Sequence, residues 1–161
     1  LHFTPEILAE LDNRGVERVA ITLHVGYGTF QPVRVDRVEV HTLDPERFSI
    51  SEPAADTINR AKREKRRIIA VGTTTTRALE AAARAGRGII TPQSGWTDLF
   101  IYPGFRFRIV DALMTNFHLP RSSLLMLVSA LGGREAVLTA YRQAIAREYR
   151  FYSYGDAMLV L

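Results

Sequence analysis

Residues 68–77 read Ile-Ile-Ala-Val-Gly-Thr-Thr-Thr-Thr-Arg, and they give the clearest indication of the fold class. The four apolar residues that open this stretch, 68–71, are typical of a strand that is buried on both faces. Gly72 ends this strand, and a helix is predicted over residues 77–84, closing near Gly86. A strand that leads directly into a helix is the building unit of α/β proteins.

Helices and strands alternate on both sides of this stretch, each indicated by its capping residue or by its apolar period. Upstream, the predicted elements are a helix from Thr4-Pro5 to Gly15, a strand over 16–25, a turn at Gly26-Tyr27-Gly28, a strand with a bend over 32–40, and a helix from Ser51 to about Lys65. Downstream, they are a loop over 87–96, strands over 99–102 and 105–112, a loop over 115–120, a helix from Ser122 or Ser123 to Leu131, a helix over 134–147, and a final loop and strand. This alternation predicts an α/β fold, either layered or a mixed barrel.

Length and composition fit an ordinary globular domain. No repeat, heptad or linker-like break divides the 161 residues, so we expect one α/β domain over residues 1–161. Hydrophobic residues make up 47% and charged residues 24%, which excludes disorder, collagen and a coiled coil as descriptions of the whole chain. The longest apolar stretch, residues 124–131, is far shorter than the ~20 residues of a membrane span, so no membrane partner is expected.

Charge and missing residue types narrow the chemistry. The chain has no cysteine, which excludes disulfides, thiolate nucleophiles and cysteine-bound zinc. This agrees with a reducing compartment, and we expect a cytoplasmic protein. The net charge of +4 favours an anionic partner such as nucleic acid or phosphate. No metalloprotease-type His-Glu-x-x-His and no Gly-x-Ser-x-Gly occurs, so neither a metal nor serine-hydrolase chemistry is expected.

Two glycine-containing turns follow predicted strands, where α/β proteins usually place their sites. His24 ends one strand just before Gly26 and Gly28, and it can act there as acid, base or hydrogen-bond donor. At the other turn, residues 72–77 combine helix N–H groups with hydroxyls and a guanidinium, a set that favours anions. Both turns also fit structural roles, as a bend with a packed histidine and as a satisfied helix cap.

Two further segments concentrate polar or aromatic side chains. Residues 111–123 gather Asn116, His118 and Ser122 between a strand and a helix, where they either orient a ligand or close the loop and cap the helix. Residues 149–156 interleave arginine with aromatics, a pattern that suits base stacking and phosphate contact.

Charged side chains supply a last group of candidates. The run Lys-Arg-Glu-Lys-Arg-Arg at residues 62–67 can hold a nucleic-acid backbone, or it is a solvated helix end favoured by the helix dipole. The carboxylates suited to acid or base work are Asp44, Glu46, Asp111 and Asp156.

Together these segments resemble one family, the S-adenosylmethionine:tRNA ribosyltransferase-isomerases of queuosine biosynthesis. The matching stretches follow the family's order and run nearly end to end. They are Leu-His-Phe-Thr-Pro at 1–5, Thr-Leu-His-Val-Gly-Tyr-Gly-Thr-Phe-Gln-Pro-Val at 22–33, Gly-Thr-Thr at 72–74 with Arg77 and Leu79-Glu80, Thr97 with Leu-Phe-Ile-Tyr-Pro-Gly at 99–104, Thr-Asn-Phe-His-Leu-Pro at 115–120, Leu-Leu-Met-Leu-Val-Ser-Ala at 124–130, and Tyr-Arg-Phe at 149–151 with Ser-Tyr-Gly-Asp-Ala-Met at 153–158.

The chain departs from the family in three respects. Members are considerably longer, so we expect this chain to be the C-terminal half of their main domain, without the N-terminal portion and the small all-β domain. Within residues 39–46, Asp44 stands where the family has a second histidine, and Pro45 stiffens that turn. Thr75-Thr76 replaces the usual Ser-Val, a mild change.

The resemblance implies a metal-independent transferase and isomerase. Its members move the ribosyl part of S-adenosylmethionine onto 7-aminomethyl-7-deazaguanine in tRNA, form epoxyqueuosine and release adenine and methionine. That reaction needs a base for the proton beside the sulfonium and donors that stabilise the leaving adenine. The implied partners are tRNA and S-adenosylmethionine, the latter as substrate, and the oligomeric state stays open.

Roles for individual residues follow from the resemblance as hypotheses. The catalytic candidates are His24, His118, Glu46 and Asp111. The substrate-binding candidates are Gly26, Gly28, Thr73, Thr74, Arg77, Asn116, Tyr154 and Asp156. The tRNA-binding candidates are Arg150, Lys62, Arg63, Lys65 and Arg66.

Two other functions stay open at this point. One is a non-catalytic, basic RNA-binding fragment, which would retain RNA without releasing adenine. The other is a different α/β enzyme acting on a sugar phosphate, with the threonine-rich turn as its anion site, which would not bind S-adenosylmethionine.

Overall fold

A computed structural model of the protein describes residues 2–26, 32–35 and 37–161. Tyr27 and Gly28 of the predicted glycine turn lie outside these residues. Five α-helices and six β-strands occur in the described part of the chain. In chain order they are α1 Pro5–Asn13, β1 Thr22–His24, β2 Glu46–Ile50, α2 Glu52–Arg63, β3 Ile69–Val71, α3 Thr73–Ala85, β4 Gln93–Thr97, β5 Ala112–Asn116, α4 Ser123–Gly132, α5 Arg134–Ala146 and β6 Ala157–Val160.

The strands form two separate three-stranded sheets. In the first sheet β2 lies between β1 and β4, and both neighbours are antiparallel to it. In the second, β5 lies between β3 and β6, parallel to β3 and antiparallel to β6. Neither sheet closes on itself within the described residues, so the predicted α/β class is confirmed in its layered form rather than as a barrel. Val71 pairs with Met114, which brings the carboxyl ends of β3 and β5 to the same edge.

The helix starts confirm the capping residues expected from the sequence. The hydroxyls of Thr4, Ser51 and Ser122 accept backbone N–H hydrogen bonds of 3.4, 3.4 and 3.1 Å at the starts of α1, α2 and α4. Each such cap stabilises its helix by about 1 kcal/mol. Gly133, with φ of +79°, separates α4 from α5.

No single helix in the described part of the chain is long and apolar enough to span a membrane, although α4 and α5, which meet at 115°, reach that length and composition when taken together.

The predicted strands upstream of β2 are mostly wrong. Of residues 16–25 only Thr22–His24 pairs with a neighbouring strand. The predicted strand over 32–40 is replaced, within its described residues, by a single bridge from Pro32 to Ser122 and a short 3-10 helix, Val38–Val40. Alternating residues suit a strand, but a strand also needs a paired neighbour, and the sequence pattern does not supply one.

The elements predicted between α3 and β5 are also displaced. Residues 93–97 form β4 instead of a loop, whereas 99–102 and 105–111 form no strand. The buried carboxylate of Glu80 explains part of this difference. It accepts hydrogen bonds of 2.9, 3.0 and 2.9 Å from the backbone N–H groups of Arg108, Ile109 and Val110. Those donors therefore need no strand partner.

The hydrophobic core is centred on α3, which packs against strands of both sheets and against α4. Its buried alanines, Ala78, Ala82 and Ala83, are small enough to let the neighbouring elements approach closely. The expected burial of β3 on both faces is wrong, because Ile69 and Val71 are 46% and 47% exposed.

Candidate functional site

A cleft of about 350 Å³ lies at the edge where the carboxyl ends of β3 and β5 meet. Such edges are the usual position of ligand sites in open α/β sheets. Five parts of the chain line it: the end of β1 with Leu23 and Val25, residues 71–75, the end of β5 with Thr115, Asn116 and His118, Leu124 on α4, and residues 152–153. The cleft thus brings together Thr73, Thr74, Asn116 and His118 from the predicted site residues.

The threonine-rich turn forms one wall of the cleft. The helix begins at Thr73, earlier than predicted, so the threonines occupy its first turn. Gly72, with φ of +92°, makes the bend into the helix, and its N–H donates to the Met114 carbonyl at 2.8 Å. No side chain of the described residues caps this helix, so its first N–H groups are available to a ligand. Together with the hydroxyl of Thr74, they suit an anion.

The opposite wall carries an amide and an imidazole. His118 Nε2 lies 2.9 Å from the Thr115 hydroxyl, and the His118 N–H donates to the Tyr141 hydroxyl at 2.8 Å. Burial lowers the pKa of His118 to about 4, so this side chain is neutral at pH 7. Asn116 Oδ1 lies 2.8 Å from His2 Nε2, which joins the N-terminal segment to the cleft. The wall therefore offers uncharged donors and acceptors.

Glu46 and Arg77 form a buried ion pair outside the cleft. Arg77 Nη1 donates to Glu46 Oε2 at 2.9 Å, and both side chains are 2% exposed. Arg77 Nε also donates to the Leu99 carbonyl at 2.9 Å, while Glu46 Oε1 accepts from the Gly26 N–H at 3.1 Å. Burial lowers the pKa of Arg77, and the negative charge of Glu46 opposes this shift. Through the Glu46 carboxylate, the pair holds the backbone at Gly26, directly after β1.

The other predicted catalytic residues lie elsewhere. His24 points away from the core, on the outer face of the first sheet. Asp111 precedes β5, at the opposite end of that strand from the cleft. Its carboxylate accepts the Ile68 N–H at 2.9 Å and lies 3.9 Å from the ammonium of Lys62. Of the four catalytic candidates, the cleft contains His118.

The basic cluster, residues 62–67, lies at the amino end of β3 and is partly neutralised. Arg66 contacts Glu17 at 3.0 Å and Glu64 at 2.8 Å, and the hydrogen bond to Glu17 raises the pKa of Arg66. Arg63 and Lys65 are exposed and have no ion pair with the described residues. This cluster and the cleft occupy opposite ends of the second sheet.

The C-terminal segment reaches the cleft through residues other than those predicted. Tyr152 and Ser153 line it, whereas Tyr154 is 75% exposed and does not. Asp156 accepts the Arg150 N–H at 2.6 Å, and this bond lowers the pKa of Asp156. The Arg150 guanidinium lies 3.5 Å from the same carboxylate. These two residues therefore shape the loop that presents Tyr152.

Sequence reasoning missed Thr75, Thr115, Tyr152 and Ser153 as lining residues, although all four stand inside segments that it singled out. A hydroxyl in such a segment is not distinguished from its neighbours until the backbone fixes its direction. Among the described residues no three metal-ligating side chains of the histidine, aspartate or glutamate type cluster together.

A sequence model of one protein family, described as "Queuosine biosynthesis protein", matches residues 1–160. The chain belongs to this queuosine biosynthesis family. It is 57% identical over 161 residues to the S-adenosylmethionine:tRNA ribosyltransferase-isomerase of Heliobacterium modesticaldum, covering 100% of this chain and 47% of that relative. The protein of the same name from Moorella thermoacetica is 56% identical, with the same two shares covered.

A solved structure shows the same fold. The crystal structure of the S-adenosylmethionine tRNA ribosyltransferase from Thermotoga maritima matches with a TM-score of 0.80 and 43% identity. The match covers 99% of this chain and 50% of the Thermotoga chain. The present chain therefore spans about half the length of the family members that it matches.

Proposed function

We propose that the protein is a tRNA-modifying enzyme with the activity named for its relatives, an S-adenosylmethionine:tRNA ribosyltransferase-isomerase. In this reaction the ribosyl group of S-adenosylmethionine moves to 7-aminomethyl-7-deazaguanine in tRNA and isomerises to give epoxyqueuosine, while adenine and methionine leave. The cleft at the carboxyl ends of β3 and β5 is the observation that carries the proposal. It combines an uncapped helix start with neutral polar side chains, which can bind the carboxylate and the polar edges of this nucleoside.

The start of α3 would hold the carboxylate of the methionine part. The uncapped N–H groups at Thr73 and Thr74 and the partial positive charge of the helix end favour a negative group there. The Thr74 hydroxyl lies in the same wall and adds a donor. Because Arg77 is engaged with Glu46, the proposal does not use its guanidinium as a substrate ligand.

His118 and Asn116 would contact the nucleoside part. A neutral imidazole provides one donor and one acceptor, which can stabilise the developing charge on the adenine that leaves. Since Thr115 engages Nε2, the second ring nitrogen is the one available to substrate. We propose His118 for this role over His24, Glu46 and Asp111 because it is the candidate that lines the cleft.

Exposed basic residues would bind the tRNA backbone, and Arg63 and Lys65 are the leading candidates. The charges of Lys62, Arg66 and Arg150 are partly neutralised by nearby carboxylates. Binding of this kind weakens with rising salt, because each neutralised phosphate releases counterions. The proposal places the protein in the cytoplasm, with tRNA and S-adenosylmethionine as its substrates.

Two measurements test the proposal. The protein, purified at its native length, is titrated with S-adenosylmethionine in a calorimeter, and adenine release is followed after addition of tRNA that carries 7-aminomethyl-7-deazaguanine. We expect saturable binding and adenine release, with weaker binding for Thr74→Val and unchanged binding for the remote control Thr139→Val. A folded protein that retains tRNA on a filter but releases no adenine would overturn the proposal in favour of a non-catalytic RNA-binding role.

A further inference from the structure

The outer face of the first sheet carries an unusual row of side chains. In the antiparallel register His24 of β1 pairs with Arg47 of β2, and Arg47 pairs with Trp96 of β4. Paired residues send their side chains to the same face. All three side chains are exposed, while the alternate residues Leu23 and Phe48 pack against the core. We call His24, Arg47 and Trp96 the outer row.

Trp96 is the most informative member of this row. Its side chain is 68% exposed, and it is the single tryptophan of the chain. A large ring on an open face of the described sheet contributes little to the core, and its flat surface is available to a ligand or a partner. None of the other outward residues on the three strands, Thr22, Ser49 and Ser94 included, is acidic.

These side chains match the chemistry of an unpaired nucleic-acid strand. An exposed indole offers a flat surface on which a base stacks, and a guanidinium either stacks beside it or pairs with a phosphate. A histidine at the third position can stack or donate a hydrogen bond. Sheets that bind single-stranded RNA use this arrangement, with aromatic side chains on the open face that each stack one base.

The row also lies close to the cleft along the chain. Leu23 and Val25 line the cleft, and His24 between them points to the opposite side of β1. Because β1 is an edge strand among the described strands, a polynucleotide that places one base in the cleft reaches the outer row by passing around this edge. The outer row and the cleft therefore lie on opposite faces of the sheet at the end of β1.

We propose that the outer row is a stacking surface for single-stranded RNA, and that it binds the unpaired nucleotides that flank the base delivered to the cleft. This rests on the proposed function, which makes an RNA base the acceptor of the reaction. The row would contribute affinity for RNA and take no part in the chemical step.

The single tryptophan makes a direct test possible. The protein is titrated with an unstructured seven-nucleotide RNA while its tryptophan fluorescence is recorded, and binding is measured in parallel by anisotropy of labelled RNA. We expect saturable quenching, with both signals giving the same dissociation constant. We expect Trp96→Ala to weaken RNA binding by about 5- to 150-fold, the loss typical of one stacked base.

Matched variants separate stacking from charge and from general damage. Trp96→Phe keeps a ring and should retain most of the affinity. Arg47→Gln should weaken binding and reduce the salt slope by about 0.7, the value for one phosphate contact on a single strand. Ile145→Ala, which removes an apolar side chain that is 65% exposed on α5, should bind RNA like the unmodified protein.

Several outcomes would overturn the proposal. They are RNA binding that leaves Trp96 fluorescence unchanged, equal affinity for Trp96→Ala, and burial of Trp96 against a second protein molecule, seen as a concentration-dependent spectrum. The adenine assay keeps this proposal apart from the proposed function. Adenine release without any effect of Trp96→Ala on RNA binding refutes the outer row alone. Quenching by RNA without adenine release refutes the enzymatic activity, and with it the flanking role of the row, but leaves the row as an RNA-stacking surface.

Discussion

Arg77 on α3 and Glu46 on β2 form a buried ion pair of 2.9 Å that links this helix to the first sheet. One end of the pair reaches the Gly26 N–H through Glu46, and the other belongs to the helix whose first turn lines the cleft. The first turn of α3 and the segment after β1 therefore depend on the same ion pair. An ion pair of this kind specifies a geometry more than it adds stability, because desolvation offsets much of its attraction.

Replacing Arg77 by methionine should lower the free energy of unfolding by about 3–5 kcal/mol, because it leaves the Glu46 charge buried without its guanidinium. Urea unfolding measures this change. The control is Arg14→Met, which removes an ion pair with Glu10. The two side chains of that pair are 73% and 57% exposed, so the substitution should lower the free energy of unfolding by less than about 1 kcal/mol. Equal losses of unfolding free energy for the two variants would show that the buried pair is no more important to stability than the exposed one.

Glu80→Gln should destabilise the loop before β5. The carboxylate accepts three backbone N–H bonds, and an amide presents its own N–H₂ to at least one of those donors. A loss of about 1–3 kcal/mol in unfolding free energy is expected from a buried donor that loses its acceptor. Oε1 accepts from Ile109 and Val110, whereas Oε2 accepts from Arg108 alone, so the amide keeps its oxygen on the first two donors. Hydrogen exchange should therefore show the loss of protection at Arg108, with little change in α5. Uniform exchange across the chain would contradict this account.

Stability should depend on pH through His118. Its pKa is about 4 in the folded protein and 6.5 in the reference state, so the unfolded chain binds the proton more readily. The neutral His118 contributes fully to the free energy of unfolding above pH 6.5. This contribution is lost as the pH falls towards 4, and the loss reaches up to about 3 kcal/mol. His118→Gln should remove this part of the pH dependence in urea unfolding curves. An NMR titration that places the pKa of His118 near 6.5 would refute the effect.

Asn116→Ala should weaken binding of S-adenosylmethionine if the cleft is the substrate site. The substitution removes an amide that lies in the cleft and loses the 2.8 Å contact with His2. One lost hydrogen bond predicts a loss of about 0.5–1.5 kcal/mol, or roughly 2- to 13-fold in the dissociation constant measured by calorimetry. His2→Ala serves as the control, because it removes the same internal contact and leaves the amide in place. Equal weakening by both variants would trace the effect to the N-terminal segment.

Local features of the fold were predictable because they depend on near neighbours in the chain. Ser51 and Ser122 cap helices because a hydroxyl meets an N–H three residues ahead, and the helix over 134–146 follows from its own apolar period. The strands were less predictable, since β4 and the end of the predicted strand over 16–25 depend on partners distant in sequence. The family itself was recognisable from contiguous motifs, which need no tertiary information.

The α/β class, the capping residues at three helix starts, the family and the segments that carry polar chemistry were predictable from the sequence, because they are properties of residue type and short spacing. Tertiary contacts set which of those residues share a space. They place Thr74, Asn116 and His118 around one cleft, commit Arg77 to Glu46, and set Asp111 at the far end of its strand. The physical reason is that strand register and helix packing fix the direction of each side chain, and both are set by contacts between residues far apart in the chain.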